Sequence, residues 1–151
     1  MQTNKNRPTR DEIYMATAKL FSSRNICGRL NVGAVAVRDK RIIATGYNGP
    51  LLIPGDKLCN CPRSNPCNEA IHAEANLVAF AAKEGISLQY CTVYITHFPC
   101  RKCQELIVQA GVSAIVWDAE YREMDNKVLE FGNVIIRKYE GRPIQDNFFG
   151  E

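Results

Sequence analysis

The stretch from Thr92 to Asp118 reads TVYITHFPCRKCQELIVQAGVSAIVWD, and the architecture of the chain can be built outward from it. Thr92 to Thr96 mixes β-branched and aromatic residues as a short strand does. Pro99 interrupts it, Cys100 to Ala110 carries a helical pattern closed by Gly111, and Ser113 to Asp118 is almost wholly apolar. Strand, helix and apolar strand in that order make a β-α-β crossover with a buried parallel strand.

Upstream, Ile71, Ala75, Val78, Ala79 and Ala82 predict a helix with one apolar stripe, stopped at Gly85. Near the start, Thr9 and Glu12 form a capping box ahead of Ile13, Ala16, Leu20 and Phe21, so an amphipathic helix should end near Arg24. Asn31 to Arg38 and Arg41 to Tyr47 read as a hairpin about Asp39-Lys40. Downstream, Met124, Val128 and Phe131 predict a last helix before Gly132, and Asn133 to Tyr139 a last strand. The order αββαβαβαβ belongs to the α/β class: a three-layer α/β/α sandwich with one mixed five-stranded sheet. Residues 1–151 fit one domain, with a long cysteine-containing loop over 49–68 and a tail over 141–151. Phe148 and Phe149 in that tail are placed to dock on a neighbouring subunit.

A hydrophobic content of 46% with 23% charged residues is ordinary globular composition. The formal charge of +3 is too mild to argue for nucleic acid, though it suits a small anionic substrate. Met1 to Arg7 lacks an apolar signal-peptide core, and the longest apolar run, Leu77 to Ala82, is too short to span a bilayer. A cytoplasmic, membrane-free protein is expected, in which the seven cysteines are metal ligands or buried thiols rather than disulfide partners.

Those thiols gain meaning from Ile71-His72-Ala73-Glu74-Ala75-Asn76. His72, Cys100 and Cys103 count to the three protein ligands of a catalytic zinc, and Glu74 is the carboxylate left over to move protons. Residues two apart diverge in mid-helix, but on a first turn His72 and Glu74 can both serve a metal off the helix end. Pro99-Cys100 opens the next helix, and two helix N-termini aimed at one metal favour thiolate and ionised water. Taken alone, C-x-x-C also suits a redox pair or half of a zinc ribbon, and a lone His is more often packed than ligating.

With these residues in place, the chain resembles the zinc-dependent cytidine/deoxycytidylate deaminase superfamily, and within it the deoxycytidylate deaminases. The likeness runs from the first helix to the last strand, through Arg29-Leu30-Asn31-Val32-Gly33-Ala34, Gly46-Tyr47-Asn48-Gly49, both metal motifs, and Asp118 to Tyr121. It implies hydrolytic deamination of dCMP to dUMP and ammonia, supplying the dTMP precursor in pyrimidine metabolism. Glu74 would protonate N3 and then the leaving amine. By the same resemblance, Arg29 binds the 5′-phosphate, Asn48 contacts sugar and base, the Ala73 backbone meets the pyrimidine edge, and Tyr121 stacks on the cytosine. It also implies hexamers, activation by dCTP with Mg²⁺, and inhibition by dTTP.

Where the family commonly carries a glycine-rich loop after Gly-Tyr-Asn-Gly, this chain reads Pro50-Leu51-Leu52-Ile53-Pro54-Gly55, which puts the regulatory site in question more than the catalytic one. Cys59, Cys61 and Cys67, with Cys27, either bind a second, structural zinc that pins the long loop or are free buried thiols. The rival readings are a tRNA adenosine deaminase, which should show a denser basic face, and a non-catalytic late-competence relative acting as a binding module, which would have no use for Glu74. Arg29 is the residue expected to read phosphate. Arg29→Ala should raise KM for dCMP while barely changing turnover of the nucleoside, and equal effects in steady-state kinetics on both would remove Arg29 from phosphate binding.

Overall fold

The computed structural model describes residues 7–25, 30–51 and 70–144. Arg29, Cys27, Cys59, Cys61, Cys67 and the tail residues Phe148 and Phe149 lie outside them.

The first helix, α1 (Arg10–Ser22), begins with the anticipated capping box: the Glu12 amide donates to Thr9 Oγ1, and the Thr9 amide donates to Glu12 Oε2. Strands β1 (Gly33–Arg38) and β2 (Arg41–Tyr47) form the hairpin, and both turn residues adopt positive φ, 51° at Asp39 and 64° at Lys40. Such a turn matches the right-handed twist of the strands it joins. Asn31 and Val32 stay outside the strand. A two-residue pair, β3 (Gly49–Pro50) with β4 (Ala70–Ile71), was not anticipated; it makes residues 49 and 50 antiparallel strand rather than loop.

Helix α2 (Ala73–Glu84) ends on Gly85 at φ 67°, the left-handed cap expected of that glycine. Its buried face is Ala73, Glu74, Leu77 and Ala81, whereas Ala79 and Ala82 of the expected stripe face solvent. An alanine-rich helix offers little hydrophobic contrast, so packing against the sheet, rather than periodicity, selects the face. Then follow β5 (Thr92–His97), α3 (Arg101–Gln109), β6 (Ala114–Ala119), α4 (Lys127–Phe131) and β7 (Ile135–Lys138). In α4 the sequence pattern misleads: Met124 precedes the helix, Phe131 is 90% exposed, and Leu129 is the buried residue.

The mixed five-stranded sheet has the order β2-β1-β5-β6-β7, antiparallel at β2-β1-β5 and parallel at β5-β6-β7. Strand alternation sorts its side chains into two cores. Ala34, Ala36, Val93, Ile95 and Ile115 pack with Leu77 and Ala81 of α2 and Ile107 of α3. Val35, Val37, Tyr94 and Val116 pack with Tyr14, Met15 and Ala18 of α1. Among the described helices, none is long and apolar enough to cross a membrane.

Polar anchors tie α1 to the far end of the chain. Glu12, 4% exposed, accepts from the Arg142 amide at 3.0 Å and from its guanidinium at 2.9 and 3.1 Å. Arg142 is the main reason that the Glu12 carboxyl is held down to about 2 from an ordinary 4.5. A lowered carboxyl pKa contributes stability that is complete above pH 4.5 and is lost as pH falls towards about 2. Glu12→Gln should therefore lower the melting temperature at pH 7, with the gap to wild type closing near pH 2. A calorimetric gap that stays constant across that range would assign the loss to packing instead.

Candidate metal centre and pocket

His72 and Cys100 occupy the same local position in different elements: each is the N-cap of the helix that follows, with extended backbone, and neither side chain caps its own helix. N-cap side chains usually fold back onto the first amides. Here they turn towards each other: His72 Nδ1 stands 3.5 Å from Cys100 Sγ and 3.4 Å from Cys103 Sγ. Cys103 lies one turn into α3, and is buried.

This convergence depends on a close approach between α2 and the sheet. A Cβ on Gly46 of β2 would run into the Ala73 carbonyl and the Leu77 backbone. Glycine at that position lets the start of α2 lie directly on β2. Asn76 adds a hydrogen bond from its side-chain amide to the Tyr47 carbonyl at 2.8 Å.

The ligand atoms of His72, Cys100 and Cys103 all lie within 4.8 Å of one another, and this is the one such group among the described residues. Tetrahedral zinc, with Zn–S about 2.3 Å and Zn–N about 2.05 Å, sets sulfur and nitrogen about 3.6 Å apart. The observed separations fit that geometry, and two thiols with one imidazole suit zinc chemically. The group is electrostatically primed. Hydrogen bonds from Cys103 and then His72 pull Cys100 down to about 4, while the same Cys100 contact and burial push Cys103 up. His72 is raised, first by its Cys100 contact.

Glu74, 4% exposed, sits on the first turn of α2, and burial raises its pKa. It lines one pocket with His72, Ala73, Cys100, Asn48 and Tyr121, while Cys103 joins them only through the donor group it shares with His72 and Cys100. Asn48 is occupied mainly with the backbone: its Oδ1 accepts from the Val32 amide at 2.8 Å and its Nδ2 donates to the Leu30 carbonyl at 2.6 Å. It shapes one wall, and keeps a second N–H and a second lone pair for a ligand. Tyr121 is half-buried, in the non-helical segment after β6, and packs on the α2-side core.

Leu30, Val32, Ala70, His97 and Phe98 also line the pocket, and the sequence assigned none of them a site role. Phe98 meets Trp117 edge to face at 5.4 Å, which shows that it also braces the strand ends. Buried Gln104 ties the start of α3 to the segment before α4, its Nε2 donating to the Pro99 carbonyl at 2.9 Å and the Asp125 carbonyl at 2.6 Å. No periodicity marks such residues, because their role arises between elements distant in the chain.

Residues 8–119 match the family model of the cytidine and deoxycytidylate deaminase zinc-binding region. ComE operon protein 2 of Bacillus subtilis is 38% identical, over 74% of this chain and 60% of its own length. The deoxycytidylate deaminase of Saccharomyces cerevisiae is 36% identical, over 88% of this chain and 46% of its own length. The chain thus spans less than two thirds of either relative. Among solved structures, the dCMP deaminase of cyanophage S-TIM5, in complex with dCMP and dUMP, superposes with a TM-score of 0.81 at 34% identity, covering 88% of this chain and 98% of that one. Replacing Cys103 with Ala should lower the bound zinc, measured by plasma mass spectrometry, by about one ion per chain. Unchanged zinc content would show that the ion is held elsewhere.

Proposed function

Because the chain belongs to the cytidine and deoxycytidylate deaminase family, we propose that it hydrolyses the exocyclic amine of dCMP, releasing ammonia and leaving dUMP, the precursor of dTMP. The observation that carries this reading is the meeting of a His-Cys-Cys donor set with a buried glutamate in one pocket. A zinc ion held by His72, Cys100 and Cys103 would supply a water of lowered pKa and polarise the reacting centre.

The chain's own groups do the rest. Glu74 is the proton carrier: burial raises its carboxyl pKa, which favours the protonated form that a proton donor needs. It takes a proton from the attacking water and gives it to N3 of the cytosine as the C4–O bond forms. It then passes the second water proton to the amine as the C4–N bond breaks, so that the water oxygen stays as the C4 carbonyl and the amine leaves as ammonia. The Ala73 backbone borders the pyrimidine, and Tyr121 offers a ring for stacking. Arg29 is assigned to the 5′-phosphate, and Asn48, through its remaining amide hydrogen, to the nucleoside.

The family resemblance supports three further assignments: activation by dCTP with Mg²⁺, inhibition by dTTP, and hexameric assembly. We further assign the protein to the cytoplasm, and Cys27, Cys59, Cys61 and Cys67 to a second, structural zinc, with free thiols as the alternative. The similarity to ComE operon protein 2 keeps a second reading in view, a zinc-stabilised binding module. Glu74 favours catalysis over it: a carboxyl buried beside the donor set costs stability unless it is used.

Incubated with dCMP, dCTP, cytidine and a tRNA anticodon stem, the zinc-loaded protein should release ammonia from dCMP. If dCMP is inert while another substrate reacts, the dCMP reading fails. Glu74→Gln should keep its zinc and lose at least roughly 10²-fold in kcat, and undiminished turnover would remove Glu74 from the mechanism.

A further inference from the structure

The pocket contains an imidazole that the reaction above does not use. His97 ends β5 and lines the pocket, yet its nitrogens fall outside the donor group of His72, Cys100 and Cys103. Its Nδ1 lies 2.9 Å from Thr96 Oγ1. That hydroxyl, on a side chain 3% exposed, already accepts the Gly33 amide at 3.1 Å. The hydroxyl proton of Thr96 has one acceptor within reach among the described residues, His97 Nδ1, and a buried hydroxyl proton left unpaired would be costly. The imidazole therefore accepts at Nδ1 and carries its proton on Nε2.

Burial independently keeps the ring neutral, by lowering its pKa. Nε2–H has no hydrogen-bond partner among the described residues. Of the other polar groups lining the pocket, His72 and Cys100 belong to the donor set, Glu74 to proton transfer, and half of the Asn48 amide to the Leu30 and Val32 backbone. His97 is left as an oriented, neutral donor on a rigid strand end.

We infer that His97 is a substrate-contacting residue that donates a hydrogen bond from Nε2 to an oxygen of the bound pyrimidine nucleotide away from the reacting C4. This assignment rests on the deaminase reading. It gives β5 two tasks, since the strand that leads into Cys100 also supplies a recognition group three residues before it. A neutral donor recognises an oxygen acceptor without the desolvation cost of a buried cation. The acceptor is an oxygen of the phosphate, or one of the sugar or base.

The test combines spectroscopy with kinetics on the full zinc-loaded chain. In protein labelled with ¹⁵N-histidine, long-range ¹H–¹⁵N spectra should show His97 with the proton on Nε2, and saturating dUMP should move that resonance. His97→Leu should raise KM for dCMP at least tenfold, with kcat within threefold of wild type and zinc content unchanged. His97→Gln, whose amide can place an N–H near the same point, should recover most of the loss. A KM effect confined to dCMP assigns the acceptor to phosphate; an equal effect on deoxycytidine assigns it to the sugar or base. An Nε2 resonance indifferent to dUMP, or a leucine variant with wild-type KM on an enzyme that turns over dCMP, overturns the assignment of His97 alone. Wild-type protein that neither binds dUMP nor deaminates dCMP overturns the deaminase reading, and this one with it.

Discussion

The start of α2 must touch the sheet for the rest of the site to exist. Gly46 permits that contact, because any side chain there would strike the Ala73 carbonyl and the Leu77 backbone. Displacing α2 by the width of a methyl group would move His72 Nδ1 away from two sulfur atoms that stand 3.4 and 3.5 Å from it. A metal with bond lengths near 2 Å tolerates little of that movement. The sheet order places β5 beside β1 and so brings the second helix N-terminus to the same edge.

Convergence of helix starts also sets the electrostatics. His72 and Cys100 each cap a helix without bonding to its amides, so the partial positive charge of two N-termini remains directed at the donor group. Cys100 is drawn to the thiolate side, and Glu74, buried among these groups, to the protonated side. Part of the remaining polar surface of the pocket is engaged with backbone, as Asn48 is with Leu30 and Val32. Such a pocket is rigid, and has few free donors with which to choose a ligand.

The opposite face of the sheet serves a different purpose. There α1 is held by an apolar core and by carboxylates tied to the C-terminal side: Asp11 accepts from Tyr94 and Arg137, and Glu12 from Arg142. These ion pairs link residues more than a hundred positions apart and brace strands whose other side carries the pocket. Stability and chemistry are thus separated by the alternation of side chains along β1, β5 and β6.

Local signals of helix and strand were legible in the sequence wherever they rest on short-range physics. The Thr9 and Glu12 capping box, the Asp39-Lys40 turn, the Gly85 cap and the β-α-β crossover each follow from neighbours in the chain. The spacing His-x-Glu and Cys-x-x-Cys likewise announced zinc chemistry, because ligand type and number are carried by the residues themselves. The buried face of α2 was not legible, since alanines on every side leave packing to decide, and the apolar pattern of Met124, Val128 and Phe131 suggested the wrong face for α4. The β3-β4 pair and the close contact at Gly46 join segments far apart in sequence. His97 shows the difference most clearly. Its residue type is written in the chain, but which nitrogen carries the proton is decided by Thr96 and the Gly33 amide, brought together only by the pairing of β1 with β5.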